Sequence, residues 1–452
     1  MASALVAHLE TALPATLAVG GGNCLYLAGS CFHPDGELRR LAVAVDGTEH
    51  SLVAHSMPAP VPHGFWGFVP FEARAAPRRV ALELAATLAG GEEGRHPLGE
   101  LELLPAPERL PANAPAEAGA GPLVAVCMAT FEPRPDLLRG QIASLREQTH
   151  RRWVCLVSDD CSSPEAFELL RAEIGEDPRF VLSRAPHRLG AYRNFERALS
   201  MVPASAELVA LCDQDDRWYP EKLAALVEGI GEASLVYSDM RVLDESGRVT
   251  SDTFWSYKRN NYRNLASLLI DNTVTGAASL FRPAVLGAAL PFPPPMESAH
   301  HDHWLAATAL ATGRIGYLDR PLYDYVQHPR TATPVHPSAE RRPAAPGPRD
   351  RLAEGRLAYF KDLMRIVLWA RVLSMRVEGI APGAARRTLR RLSRLAGPRE
   401  PVPWLLLRAL RPLLGRTETL YSERSLLKAI AWRRTASRRA RRDGAGDSAA
   451  DS

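Results

Sequence analysis

The feature that most constrains this chain is a series of short apolar segments, between residues 123 and 336, separated by stretches of helical period. Val124-Ala-Val-Cys-Met, Trp153-Val-Cys-Leu-Val and Leu208-Val-Ala-Leu-Cys are apolar without alternation, as strands covered on both faces are. Between them Leu137, Leu138, Ile142 and Leu145 recur at helical spacing within 136–148. Residues 165–174 and 192–201 give two further helices, with Phe180-Val-Leu a short strand between them. Strands alternating with amphipathic helices predict an α/β domain over 123–340 with a mixed, mainly parallel sheet.

At 452 residues the chain is too long for one ordinary domain. Residues 1–104 read as a small β-sandwich. Leu25-Tyr-Leu-Ala-Gly, Leu41-Ala-Val-Ala-Val and Arg79-Val-Ala-Leu-Glu-Leu are its strand candidates, and Pro34-Asp-Gly and Asp46-Gly its turns. The Pro, Ala and Gly of 105–122 predict a linker. Residues 341–442 predict a basic helical region and 443–452 a disordered end. Residues 341–452 hold 26 Lys and Arg against 10 Asp and Glu, or +16, which leaves −12 on residues 1–340 for the total of +4. Trp404-Leu-Leu-Leu-Arg-Ala-Leu-Arg-Pro-Leu-Leu combines an apolar face with arginines, so peripheral contact with an anionic membrane is one expectation. Packing on the catalytic domain is the other. No nucleic-acid-binding motif accompanies the charge.

No run approaches the roughly 20 apolar residues of a membrane span. The first ten residues lack a basic segment and reach Glu10 early, unlike a signal peptide. Six cysteines without a CxxC pair argue against a disulfide framework. The expected location is cytoplasmic, or peripheral on the inner face of the cell membrane.

Chemistry in an open α/β sheet collects at the carboxyl ends of its strands. Three such ends carry polar clusters: Thr130-Phe-Glu-Pro, Ser158-Asp-Asp-Cys-Ser-Ser and Asp213-Gln-Asp-Asp-Arg-Trp. Neighbouring acidic ends repel unless a cation or ligand balances them. Asp213, Asp215 and Asp216 offer hard oxygen ligands, which suit Mg²⁺ or Mn²⁺ rather than zinc. Capping a helix near Pro220 would need one aspartate, not three.

With Thr130-Phe-Glu, Asp159-Asp160-Cys-Ser, Asp213-Gln-Asp-Asp and His301-Asp302, the chain resembles the family 2 glycosyltransferases of GT-A fold. Tyr237-Ser-Asp, Asn272-Thr-Val-Thr-Gly276, His301-Asp-His-Trp and Tyr325-Val-Gln-His328 look most like rhamnosyltransferase-type members. The resemblance covers about half the chain.

It implies an inverting, metal-dependent glycosyltransferase using a dTDP- or UDP-sugar, dTDP-rhamnose among them, in surface polysaccharide or lipid-linked glycan assembly. Thr130, Phe131 and Glu132 would lie beside the nucleoside, and Asp159 would accept from the imide N–H of the base. Arg193 would lie near the diphosphate. Asp213 and Asp215 would hold ribose and metal, with Asp216 reaching the metal through water, and His328 would stand near both. Asn272 and Gly276 would face the acceptor, and Asp302 would be the general base. His301 stands where the family usually has Glu.

Alternatives remain at this stage. His300-His-Asp-His303 could form a transition-metal site or merely start a helix. Trp66 and Phe68 could form a carbohydrate platform or a core cluster. The protein could be a catalytically inactive carbohydrate-binding protein. It could also be a sugar-nucleotide nucleotidyltransferase, although Ala129-Thr-Phe-Glu-Pro lacks the Gly-rich loop such an enzyme needs.

Overall fold

A computed structural model describes residues 3–54, 63–106, 119–256, 258–328, 354–396, 401–419 and 422–446. The N-terminal part is a sandwich of two sheets. One runs β1 (Ser3–Ala4), β10 (Glu93–Leu104), β9 (Arg78–Leu88), β5 (Leu38–Val45), β6 (Thr48–Ser51), with β3 (Thr16–Ala18) also on β10. The other runs β2 (Val6–Leu9), β4 (Asn23–Phe32), β8 (Gly64–Phe71), β7 (Val53–Ala54). Leu25, Leu27, Phe65 and Val69 join Val43, Leu82 and Leu101 in a core between the sheets.

The two-residue period of a strand puts Cys24, Ala28, Trp66 and Phe68 on the opposite face. There they belong to the core of the rest of the molecule. Trp66 is 2% and Phe68 4% exposed, and Trp66 meets the Tyr359 ring edge-on at 5.6 Å. They are a core cluster, not a carbohydrate platform.

The α/β domain has a nine-stranded sheet. β13 (Phe180–Arg184), β12 (Trp153–Asp159), β11 (Val124–Thr130) and β14 (Leu208–Cys212) run parallel in that order. β18 (Ser279–Phe281) joins β14 antiparallel, then come β16 (Leu235–Leu243), β19 (Ile315–Val326) and β15 (Arg217–Trp218), with β17 (Val249–Ser251) on β16. The mixed, partly parallel sheet matches the expected fold class.

Helices cover both faces. α1 (Pro135–Arg146) and α2 (Pro164–Ile174) each start with Pro at the first turn, where no amide is needed, and the Ser163 hydroxyl accepts from Ala166 N at 3.3 Å. α3 (Ala191–Ser200) buries Phe195, Ala198 and Leu199, and Asn194 ties it to the sheet by donating to Ser158 O at 2.9 Å and Thr130 O at 3.2 Å. α4 (Lys222–Gly229), α5 (Leu265–Ile270) and α6 (Ala284–Ala289) are short. α7 (His301–Thr312) buries eight of its twelve residues, as expected of a helix that is apolar all round.

The basic C-terminal region is helical, yet its first long helix is core. α8 (Met364–Arg376) buries nine residues from Met364 to Leu373 between the sandwich and α7. α9 (Gly383–Ser393), α10 (Val402–Ala409) and α11 (Ser422–Gly446) follow. α11 continues to Gly446, so 443–446 are helical rather than disordered, and 447–452 lie outside the described residues. Most of the expected linker, 107–118, also lies outside them. Asn272–Gly276 is a loop leading into a 3₁₀ turn at Gly276–Ala278.

Candidate active site

Because β11, β12 and β14 are parallel neighbours, their carboxyl ends bring Thr130, Asp159 and Asp213 to one edge. A cavity of about 850 Å³ opens there. Thr130, Phe131, Glu132, Asp213, Asp215, Asn272, Gly276, Asp302 and His328 all line it. Asp159 and Arg193 do not.

Asp159 is fully buried, and its carboxylate accepts from Ser162 N at 3.1 Å and from the Ser162 hydroxyl at 2.5 Å. It shapes the loop rather than facing the cavity. The next residue, Asp160, does line the cavity, and its carboxylate accepts from Leu189 N at 2.5 Å and Gly190 N at 2.9 Å. Arg193 turns to Glu196 at 2.5 Å and the Phe292 carbonyl at 3.1 Å. Arg188 lines the cavity instead, its guanidinium 4.2 Å from the Phe131 ring centre.

Gln214, which the motif reading passed over, clamps the first loop. Its amide accepts from Phe131 N at 2.9 Å and donates to Phe131 O at 3.1 Å. Glu132 and Cys161 both have positive φ, 42° and 59°. Such backbone is uncommon for these residues and clusters where loops are held for function. The Glu132 carboxylate holds it by accepting from Ser163 N at 2.6 Å, while Glu132 N donates to the Ser162 hydroxyl at 2.9 Å.

The acidic cluster is charged against its surroundings. Burial first, then Asp215 and Asp302, push the Asp213 carboxyl up to about 7. Burial and the same neighbourhood raise Asp216 well above the usual carboxylate range. Both Asp216 oxygens are buried without a hydrogen-bond partner among the described residues. The nearby counter-charge is Lys222, fully buried, with its ammonium 3.6 Å from the Trp218 ring centre. Burial pushes this lysine down to about 7, against the pull of Asp216, Cys212 and Asp213. None of Asp213, Asp215 or Asp216 caps α4, whose N-cap is Glu221 without a side-chain bond.

This donor set fits a divalent cation. It gathers carboxyls whose burial and mutual repulsion raise Asp213 and Asp216, and His328 Nε2 lies 2.8 Å from Asp215 Oδ2, orienting that carboxylate. Among the described residues no three His, Cys, Asp or Glu side chains converge on one point. His301 and His303 are otherwise engaged, since His301 stacks on Phe195, which speaks against a transition-metal site at His300–His303. His303 is buried, its Nε2 bonded to the Leu268 carbonyl.

Asp302 Oδ1 accepts from His303 N at 2.6 Å and Oδ2 from Gly276 N at 3.3 Å. A Cβ on Gly276 would stand 3.2 Å from Asp302 Cβ, so glycine allows this approach. Lys258 donates to the Asn272 carbonyl at 2.7 Å and lines the same wall.

The sequence profile of glycosyl transferase family 2 matches residues 125–288. A succinoglycan biosynthesis protein of Rhizobium meliloti is 37% identical over 95 residues, covering 21% of this chain and 29% of that protein. An uncharacterized glycosyltransferase of Methanocaldococcus jannaschii is 25% identical over 135 residues, 29% of this chain and 46% of that one. The chain spans less than half the length of the curated relatives it matches. Among solved structures, TarS residues 1–349 of S. aureus, in complex with UDP-GlcNAc, aligns over 70% of this chain and 92% of that one, at 16% identity and a TM-score of 0.40. The profile falls on the strands and loops that build the cavity, so it is this α/β domain that is similar to glycosyl transferase family 2.

Proposed function

We propose that the protein is an inverting glycosyltransferase, moving a sugar from a nucleoside diphosphate donor to an acceptor hydroxyl during surface polysaccharide or glycan assembly. The observation that carries this is that Asp213, Asp215 and Asp302 line one cavity, with Asp302 near enough to raise the Asp213 carboxyl further than burial does alone. Asp213 and Asp215 suit the side of an anionic leaving group, and Asp302 suits a hydroxyl nucleophile beside them.

On the donor side, Asp160 is the carboxylate for the imide N–H of a uracil or thymine, in place of Asp159. Arg188 is the guanidinium for the diphosphate, in place of Arg193. Asp213 and Asp215 would hold Mg²⁺ or Mn²⁺, with His328 and a water-linked Asp216 in support. Such a cation neutralises the departing diphosphate. Asp302 takes the proton of the acceptor hydroxyl as its oxygen bonds to the anomeric carbon and the carbon–oxygen bond to the diphosphate breaks. One displacement inverts the configuration and needs no covalent nucleophile. Asn272 and Gly276 shape the acceptor wall. The donor is a dTDP- or UDP-sugar, with dTDP-rhamnose the first to test.

Incubating the pure protein with dTDP- and UDP-sugars and Mn²⁺ or Mg²⁺ tests this. Transfer or hydrolysis of one donor, with inverted product and reversible loss in chelator, is expected. Inertness toward all of them would defeat the reading, and full activity in chelator would defeat the metal.

A membrane location has separate support. No helix among the described residues is long and apolar enough to cross a membrane. Leu406, Leu407, Leu410, Leu413 and Leu414 are 51% to 79% exposed on α10 and the turn after it. Arg386, Arg387, Arg390 and Arg391 are exposed on α9 and Arg394 just after it, and Arg391 lies 5.4 Å from the Trp404 ring centre, which sets the basic helix beside the leucines. Apolar knobs ringed by arginine match an anionic bilayer surface. Sedimentation with phosphatidylglycerol vesicles should show salt-sensitive binding, lost in Leu413→Asp/Leu414→Asp. Undiminished binding by that variant would remove this face from the proposal.

A further inference from the structure

One polar group in the cavity has no part in the scheme above. The His301 imidazole lies flat on the Phe195 ring, with centroids 3.5 Å and planes 17° apart. Both residues line the cavity. His301 Nε2 is buried and has no hydrogen-bond partner among the described residues. A Cβ on Gly276 would come within 3.0 Å of this nitrogen, so any side chain at 276 would crowd it.

An unpaired buried nitrogen destabilises a fold, and native structures retain one chiefly where something else completes it. Stacking on Phe195 fixes the plane of the ring, so Nε2 is aimed rather than free to turn. Burial lowers the imidazole's pKa to about 4, against the pull of Asp302, so the ring is neutral near pH 7. A neutral imidazole nitrogen meets a hydroxyl well, because a hydroxyl both donates and accepts. His301 also adjoins Asp302 in sequence and on the same wall, so whatever it binds sits beside the reacting oxygen.

We propose that His301 Nε2 hydrogen-bonds a hydroxyl of a sugar bound in the cavity, next to the hydroxyl that Asp302 activates, and thereby selects sugars carrying that hydroxyl. This rests on the glycosyltransferase reading of the cavity. The hydroxyl belongs either to the donor sugar or to the acceptor sugar, and one experiment separates the two.

Full-length wild type, His301→Phe and His301→Gln are compared with UDP- and dTDP-hexoses, their deoxy counterparts, and hexose methyl glycosides with matching deoxy forms as acceptors. Phe keeps the stacking without the hydrogen bond, while Gln restores a neutral donor and acceptor. Wild type should lose roughly tenfold in kcat/KM when one particular hydroxyl is missing, a size typical of one hydrogen bond. His301→Phe should show that loss on the complete sugar and no further loss on that deoxy sugar, with Gln recovering part of it. If the non-additive hydroxyl is on the donor, hydrolysis without acceptor shows it too. If it is on the acceptor, hydrolysis is unchanged and only transfer responds. Equal losses by His301→Phe on every analogue, or wild-type kcat/KM throughout, overturn the assignment while leaving the glycosyltransferase reading intact. A wild type inert toward all the donors overturns both.

Discussion

At the scale of single residues, the site is decided by which of two adjacent groups faces the cavity. Asp159 and Asp160 are indistinguishable by composition, but successive side chains at a strand end point to opposite sides. The first is spent on Ser162, and the second lines the cavity. The two should therefore fail differently. Asp160→Asn is expected to raise the donor KM several-fold with little change in melting temperature. Asp159→Asn should cost about 1–2 kcal/mol of stability, since one of the two oxygens that accept from Ser162 becomes an NH₂ donor. Donor titration and thermal denaturation check both. Equal effects of the two substitutions on KM would undo the distinction. The same step separates Arg193 from Arg188. The sequence shows that an arginine is near, but the choice depends on Glu196 and the Phe292 carbonyl engaging one of them.

At the scale of elements, what was legible was periodic. The apolar runs around Val124, Trp153 and Leu208 are strands, and the polar clusters after them meet at one edge, because parallel order follows from intervening helices. What was hidden was a buried helix inside a basic stretch. Regional charge averages Met364–Leu373 together with arginines elsewhere, and Arg365 and Arg376 of α8 are themselves engaged with protein carbonyls. Arg376 is the clearest case. Its guanidinium donates to Gly22 O at 2.7 Å, Ala288 O at 3.1 Å, Ala289 O at 2.8 Å and Pro291 O at 2.7 Å, joining the sandwich, α6 and α8. Arg376→Met keeps much of the stem but leaves these carbonyls without a donor. A loss of about 2–3 kcal/mol is expected by chemical denaturation. A change below about 0.5 kcal/mol would show that the joint does not depend on it.

At the scale of the whole molecule, the sandwich and the α/β domain share a core. The sequence suggests a separable module, since strand alternation alone does not reveal what covers the outer face of β4 and β8. Trp66 and Phe68 pack toward Tyr359 and Arg371, so α8 is held between two domains. Deleting residues 1–104 should therefore give a protein that aggregates or melts well below the full chain, even though every residue lining the cavity is retained. A truncated form with unchanged melting temperature would show the sandwich to be an independent appendage.

The central claim is that this shared architecture brings donor-binding carboxylates and a separate base, Asp302, into one cavity, and Asp302→Asn tests it most directly. The substitution keeps size and most hydrogen bonding but cannot accept a proton at neutral pH. Calorimetry with Mn²⁺ and UDP or dTDP should give affinities within about twofold of wild type, while the transfer rate falls by roughly 10²–10⁴, the usual contribution of a general base. Near-normal turnover by Asp302→Asn would contradict the account.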